Sequence, residues 1–169
     1  MKRMSMIIIA AIFCLALSAQ AQAQSIKVGY LDLSKTFDNF EKTKEYDSVL
    51  EGLTKSYENT RNEKIEKMKE AQGRLALLKD EEKAKLEEEI ETMKADLLEY
   101  DRAQRTDLTK DRDEKIREIL LEIEKVVSDF AKKGNYDYIL NDRVLIYGNE
   151  QLNVTDDILK ILNDNYNKQ

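Results

Sequence analysis

From Lys35 to Lys133 the chain has no proline and only two glycines, Gly52 and Gly73, and its apolar residues recur in steps of three and four. That period belongs to helices carrying one narrow apolar stripe, so a run this long folds as a rod or as a hairpin. The stripe distinguishes the two. If the chain reverses near Asp80-Glu81, residues whose numbers add to about 161 face each other, as in an antiparallel coiled-coil seam. Leu75 then meets Leu86, Met68 meets Met93, Ile65 meets Leu97, Leu53 meets Leu108 and Tyr46 meets Ile116. Partners of similar bulk oppose one another along most of the length, which predicts a hairpin over residues 35–133 with its turn near 79–82. Arms of ~40 residues, at 1.5 Å per residue, would reach ~60 Å.

The stripe is uneven. Residues 58–64 (ENTRNEK) hold no large apolar side chain, and residues 101–115 hold only Leu108. Exposed ion pairs contribute only ~0.2–1 kcal/mol each, so the arms are expected to bend and splay in their middle. From Ile116 to Phe130 the apolar residues spread more than half way round the helix, which predicts a root (about 116–133) packed on a base.

The base comes from both ends of the chain, residues 24–34 and 134–169. Residues 26–33 (IKVGYLDL) read as a strand, and Ser34 is a candidate N-cap for the helix after it. Gly134-Asn135 suits a left-handed helix end. Residues 136–141 (YDYILN) and 144–147 (VLIY) read as two further strands joined by a tight turn at Asp142-Arg143. Thr155 is placed to cap a last helix, with Asp156 and Asp157 in its first turn and Ile158, Leu159, Ile161 and Leu162 on its apolar face. The fold class is therefore α+β: a long antiparallel helical hairpin projecting from a small sheet. A three-stranded sheet under one or two helices leaves an apolar face uncovered, which implies self-association through the base.

The N-terminus sets the compartment. Lys2 and Arg3 precede an apolar run from Met6 to Leu17, and Ala19, Ala21 and Ala23 offer two A-x-A cleavage sites. This is the layout of a secretory signal peptide over residues 1–23, cleaved after Ala21 or Ala23; the run is shorter than the ~20 residues a spanning helix needs, so no stable membrane insertion is expected. Cys14 lies within the run, after Phe13, which does not suit lipidation. Removing this segment takes away Lys2, Arg3 and the single cysteine and moves the net charge from −6 to −8. What is left, about 146 residues, is one domain's length without a disulfide.

Chemistry is hard to place on this composition. The chain has no histidine, and its five glycines never form a phosphate-binding loop. Carboxylate groups such as Glu87-Glu88-Glu89 lie at helical spacing on a solvated face, without the burial that acid–base work requires. No enzyme activity, catalytic residue, cofactor or metal is expected, and an acidic chain offers no field for a nucleic acid. Leu77, Ala84, Leu98 and Tyr100 fall beside the stripe and are candidate contacts for an unfolded partner. A spacer or adaptor that binds one folded partner is the alternative reading of such a hairpin.

The opening residues 27–33 with Phe37, the charged hairpin, and the closing residues 138–141, 145–147 and 153–159 together resemble the Skp (OmpH-like) family of periplasmic chaperones of Gram-negative bacteria. The likeness spans essentially the whole exported length, and the closing segment is its most specific part. The family usually has Asp-Ile-Thr where this chain has Asn153-Val154-Thr155. The resemblance implies a homotrimer with a β-barrel-like body and three helical tentacles. It further implies a periplasmic holdase that keeps unfolded outer-membrane β-barrel proteins from aggregating without ATP. Well-known members are basic with positive tips. Here the tip, residues 73–85, sets Arg74, Lys79, Lys83 and Lys85 against three acids, so contact with lipopolysaccharide or anionic membrane is not implied.

Overall fold

The computed structural model describes residues 25–168; the signal peptide expected over residues 1–23 lies outside them. Strand β1 (Val28–Leu31) leads into a short helix α1 (Leu33–Asn39), the first arm α2 (Glu41–Leu75) and the second arm α3 (Asp80–Gly134). Strand β2 (Tyr138–Asn141), two 3-10 turns (Asp142–Val144 and Glu150–Leu152) and helix α4 (Thr155–Tyr166) complete the chain. The molecule is α+β, a long antiparallel helical hairpin on a small sheet.

The arms follow from the stripe. α2 is a helix of 35 residues, about 50 Å at 1.5 Å per residue. The reversal occupies residues 76–79, so Asp80, Glu81 and Glu82, expected within the turn, are instead the first turn of α3. Their carboxylates face the positive helix end there, and Lys132 and Lys133 sit at the negative end. Cross-arm contacts agree with the expected alignment. Lys42 pairs with Glu118, Tyr57 with Asp101, and Arg61 with Asp101.

Two expected helix starts are corrected. The first helix begins at Leu33, one residue before the proposed cap. Asp32 caps it, its Oδ1 accepting the Lys35 N–H at 2.7 Å, while the Ser34 hydroxyl receives a hydrogen bond from Arg143. That helix also breaks at Phe40, whose extended backbone (φ −67°, ψ 128°) separates α1 from α2. The break lets the Phe40 ring, fully buried, enter the core edge-on to Tyr166 at 5.9 Å. At α4 the Thr155 hydroxyl is not the cap. It accepts the Asp32 N–H at 2.9 Å and donates to Asn153 Oδ1, which also takes the Thr155 N–H at 3.0 Å. Thr155 is thus spent on tying β1 to α4.

The sheet differs from expectation in one strand. β2 lies parallel to β1, Val28 opposite Tyr138 and Leu31 opposite Asn141. On its other side β1 forms an isolated bridge, Tyr30 with Asn153. Residues 144–147 form no strand: Asn141 Oδ1 accepts the Arg143 N–H at 3.1 Å and closes a 3-10 turn that carries the chain off β2. A hairpin partner for β2 is therefore absent among the described residues.

The core lies where the root of α3 crosses the base. Ile119, Ile123 and Val126 pack with Leu31, Phe40, Val154, Ile158 and Leu162. Each such burial is worth ~1.5–3 kcal/mol, so this cluster holds the base together. α3 ends at Asn135 in the left-handed region (φ 52°). Tyr136 then folds back, stacks on Phe130 at 5.6 Å and lies under the Lys27 ammonium, 4.0 Å from its ring centre. A Cβ on Gly134 would sit 2.7 Å from that ring, which is why the position is glycine.

Candidate functional site

Three regions of the surface have chemistry to offer: the tip, the middle of the arms and the base. At the tip Ala71, Leu86 and Ile90 are buried together, with Met68, Leu75, Leu78 and Met93 around them. These residues are the stripe at full density, and they clamp the hairpin just below its turn.

The middle is different. From residue 44 to 70 in α2 and from 91 to 118 in α3 no side chain is buried. The gap in the stripe is bridged by polar groups. Tyr57 donates to Asp101 Oδ1 at 3.1 Å, and Arg61 Nε pairs with Asp101 Oδ2 at 3.2 Å. Arg105 Nε donates to the Tyr57 hydroxyl at 3.4 Å. The Tyr57 ring tilts against Tyr100 at 5.9 Å, and the Lys64 ammonium lies 5.3 Å from the Tyr100 ring centre.

Toward the root, charge replaces apolar contact again. Lys42 reaches both Glu118 and Glu122 at 2.8 Å. Hydrogen bonds from Lys115 and Lys42 pull the Glu118 carboxyl down to about 2. Lys42 itself loses solvation at this place, and the two carboxylates more than offset that and raise it. Tyr46 is raised by burial and by Asp111, whose Oδ2 takes its hydrogen bond at 3.2 Å. An open hollow of about 380 Å³ lies here, with Tyr46, Val49, Leu53 and Ile119 for its apolar side and Lys42 and Lys115 at its rim.

The four candidate contacts do not form one patch. Leu77, in the turn, is 84% exposed, and Ala84, in the first turns of α3, is exposed near it. Leu98 is 71% exposed on the outside of α3. Tyr100 is two residues further on, so it points to the opposite side of the helix, where it is half-buried against Tyr57. Residue-by-residue reading missed the most exposed apolar group, which is on the base. Ile146 is fully exposed, and Tyr138, Val144 and Tyr147 stand open on the same short segment. Beside the sheet an apolar hollow of about 350 Å³ is lined by Leu31, Leu33, Leu120, Val127 and Ile139. The strand-like composition of residues 144–147 was the available signal: four apolar residues in a row, of which Val144, Ile146 and Tyr147 stand exposed.

No helix among the described residues is long and apolar enough to cross a membrane, and no group of metal-ligating side chains is gathered among them.

Known proteins share this arrangement. The crystal structure of an OmpH-like protein from Caulobacter crescentus CB15 superposes with a TM-score of 0.77 over 83% of this chain and 85% of that one, at 8% identity. At that identity the likeness is one of fold. The chaperone protein Skp of Yersinia enterocolitica is 24% identical over 150 residues, covering 86% of this chain and 92% of its own length. The sequence profile of outer membrane proteins of the OmpH-like type matches residues 27–162, from the lysine before β1 to the buried Leu162 of α4. With the hairpin, its root and the first two turns of the closing helix inside that match, the chain belongs to the OmpH-like family.

Proposed function

We propose that this protein is an ATP-independent holdase of the periplasm that binds unfolded outer-membrane β-barrel proteins and keeps them from aggregating in transit. The observation that carries the reading is the absence of any buried residue over residues 44–70 and 91–118. Arms held by exposed polar contacts can yield to a client of any shape, and binding of this kind consumes no nucleotide. The Skp name of the Yersinia relative supports the same reading.

The base is the trimerisation body in this proposal, built from residues 24–34 and 134–169. Tyr138, Val144, Ile146 and Tyr147 are all exposed on the base, and neighbouring copies would cover them. Leu77, Ala84 and Leu98 are the client contacts available on a closed arm. Tyr100 joins them only when its contact with Tyr57 is undone.

The test is suppression of light scattering when a denatured β-barrel protein is diluted into buffer with the purified chain and no nucleotide. Suppression saturating near one trimer per client supports the proposal. No suppression from low to high salt overturns it, and capture of a single folded protein in fixed ratio would establish the spacer instead.

A further inference from the structure

The arm has two apolar clamps and a polar span between them. One clamp is the tip cluster of Ala71, Leu86 and Ile90; the other is the root, where Ile119 and Ile123 join the core. Between them the arms meet through polar contacts, Tyr46 with Asp111 toward the root and a cluster around Asp101 at mid-arm. Asp101 receives the Tyr57 hydroxyl on one oxygen and the Arg61 guanidinium on the other, and Arg105 closes onto the same tyrosine from α3. Tyr100 lies tilted against Tyr57, with the Lys64 ammonium over its ring.

We propose that Tyr57, Arg61, Tyr100, Asp101 and Arg105 form an ionic latch at mid-arm, so that the hairpin opens by gaping at its centre and not by parting at its tip. The physical reason is a difference in what water does to the two kinds of contact. Separating the tip exposes buried apolar side chains, which water opposes. Separating the middle exchanges half-exposed hydrogen bonds and ion pairs for hydration, which water nearly matches. Salt weakens these ionic contacts, since screening shortens from ~10 Å at 0.1 M to ~3 Å at 1 M, and leaves the apolar tip clamp in place, because apolar burial does not weaken. The opened centre would free Tyr100, Leu97 and Leu108, all half-buried in the closed arm.

Amide hydrogen exchange on the purified chain tests this without any client, so its outcome is independent of the holdase assay. Raising salt from about 0.05 to 1 M should speed exchange in residues 46–64 and 97–115 by about five- to ten-fold and leave residues 68–78 and 83–93 within about two-fold. Asp101→Asn should give the same mid-arm increase at low salt, with helical circular dichroism retained. Arg61→Gln is the second variant should Asp101→Asn fail to fold, and Glu66→Gln, which removes an ion pair within α2, should have no effect on the mid-arm. A uniform rise along the arm, a rise that begins at the tip, or no response to salt and to the latch variants overturns the proposal.

Discussion

The side-chain oxygen of Asn163 accepts the backbone N–H of Glu41 at 2.9 Å, so the last helix caps the first arm from 122 residues away. A helix start usually finds its cap in the residue just before it, but here that residue is Phe40, whose side chain is committed to the core. Removing the cap by Asn163→Ala should cost about 1 kcal/mol, the ordinary worth of an N-cap. Chemical denaturation would register it, and faster amide exchange at residues 41–44 would locate it.

Phe40 carries the larger energy. Its ring is fully buried among the root of α3 and α4. Phe40→Ala should destabilise the fold by about 3–5 kcal/mol, removing apolar burial and leaving a cavity at the joint between arm and base. The midpoint of urea unfolding is the measurement; a shift worth under about 1 kcal/mol would show that the joint repacks.

Acid should loosen the root in a defined window. Glu118 titrates at about 2 in the folded chain against a reference of 4.5, so its carboxylate contributes stability that is whole above the unfolded value and lost as pH falls toward 2. The group is nearly half exposed, and solvent screening keeps the effect small. Glu118→Gln should therefore lower stability by a constant amount above about pH 5, with the difference from wild type vanishing toward pH 2. Thermal melts of the two proteins across that range would show convergence; parallel curves would refute it.

Gly52 lies inside α2, and a Cβ added there would meet nothing within 4 Å. Gly52→Ala should stabilise the arm by about 0.5–1 kcal/mol through helix propensity alone. Slower exchange around residue 52, without a change at the tip, would register it.

Much of this architecture was legible in the sequence because helical period and bulk matching are local properties. The alignment that opposes Leu75 to Leu86 needs only counting, and both side chains belong to the tip cluster. What escaped depends on groups far apart in the chain. Thr155 looks like a cap until the N–H of Asp32, 123 residues earlier, takes its hydroxyl. Residues 144–147 have the apolar, β-branched and aromatic composition of a strand, yet a strand needs an edge to pair with, and the chain turns off β2 before them. The gap in the stripe at residues 58–64 gave no sign of Asp101, because apolar counting is blind to a carboxylate shared by a tyrosine and an arginine.

The parallel pairing of β1 with β2 has a consequence for how such molecules vary. Parallel neighbours must be joined by a crossover, and here the crossover is the entire hairpin, leaving after Leu31 and returning before Tyr138. The limb is thus an excursion within a single connection, anchored at both feet. Adding or deleting matched heptads on its two sides would change its reach while the same strands close beneath it. Length is the parameter this topology leaves free.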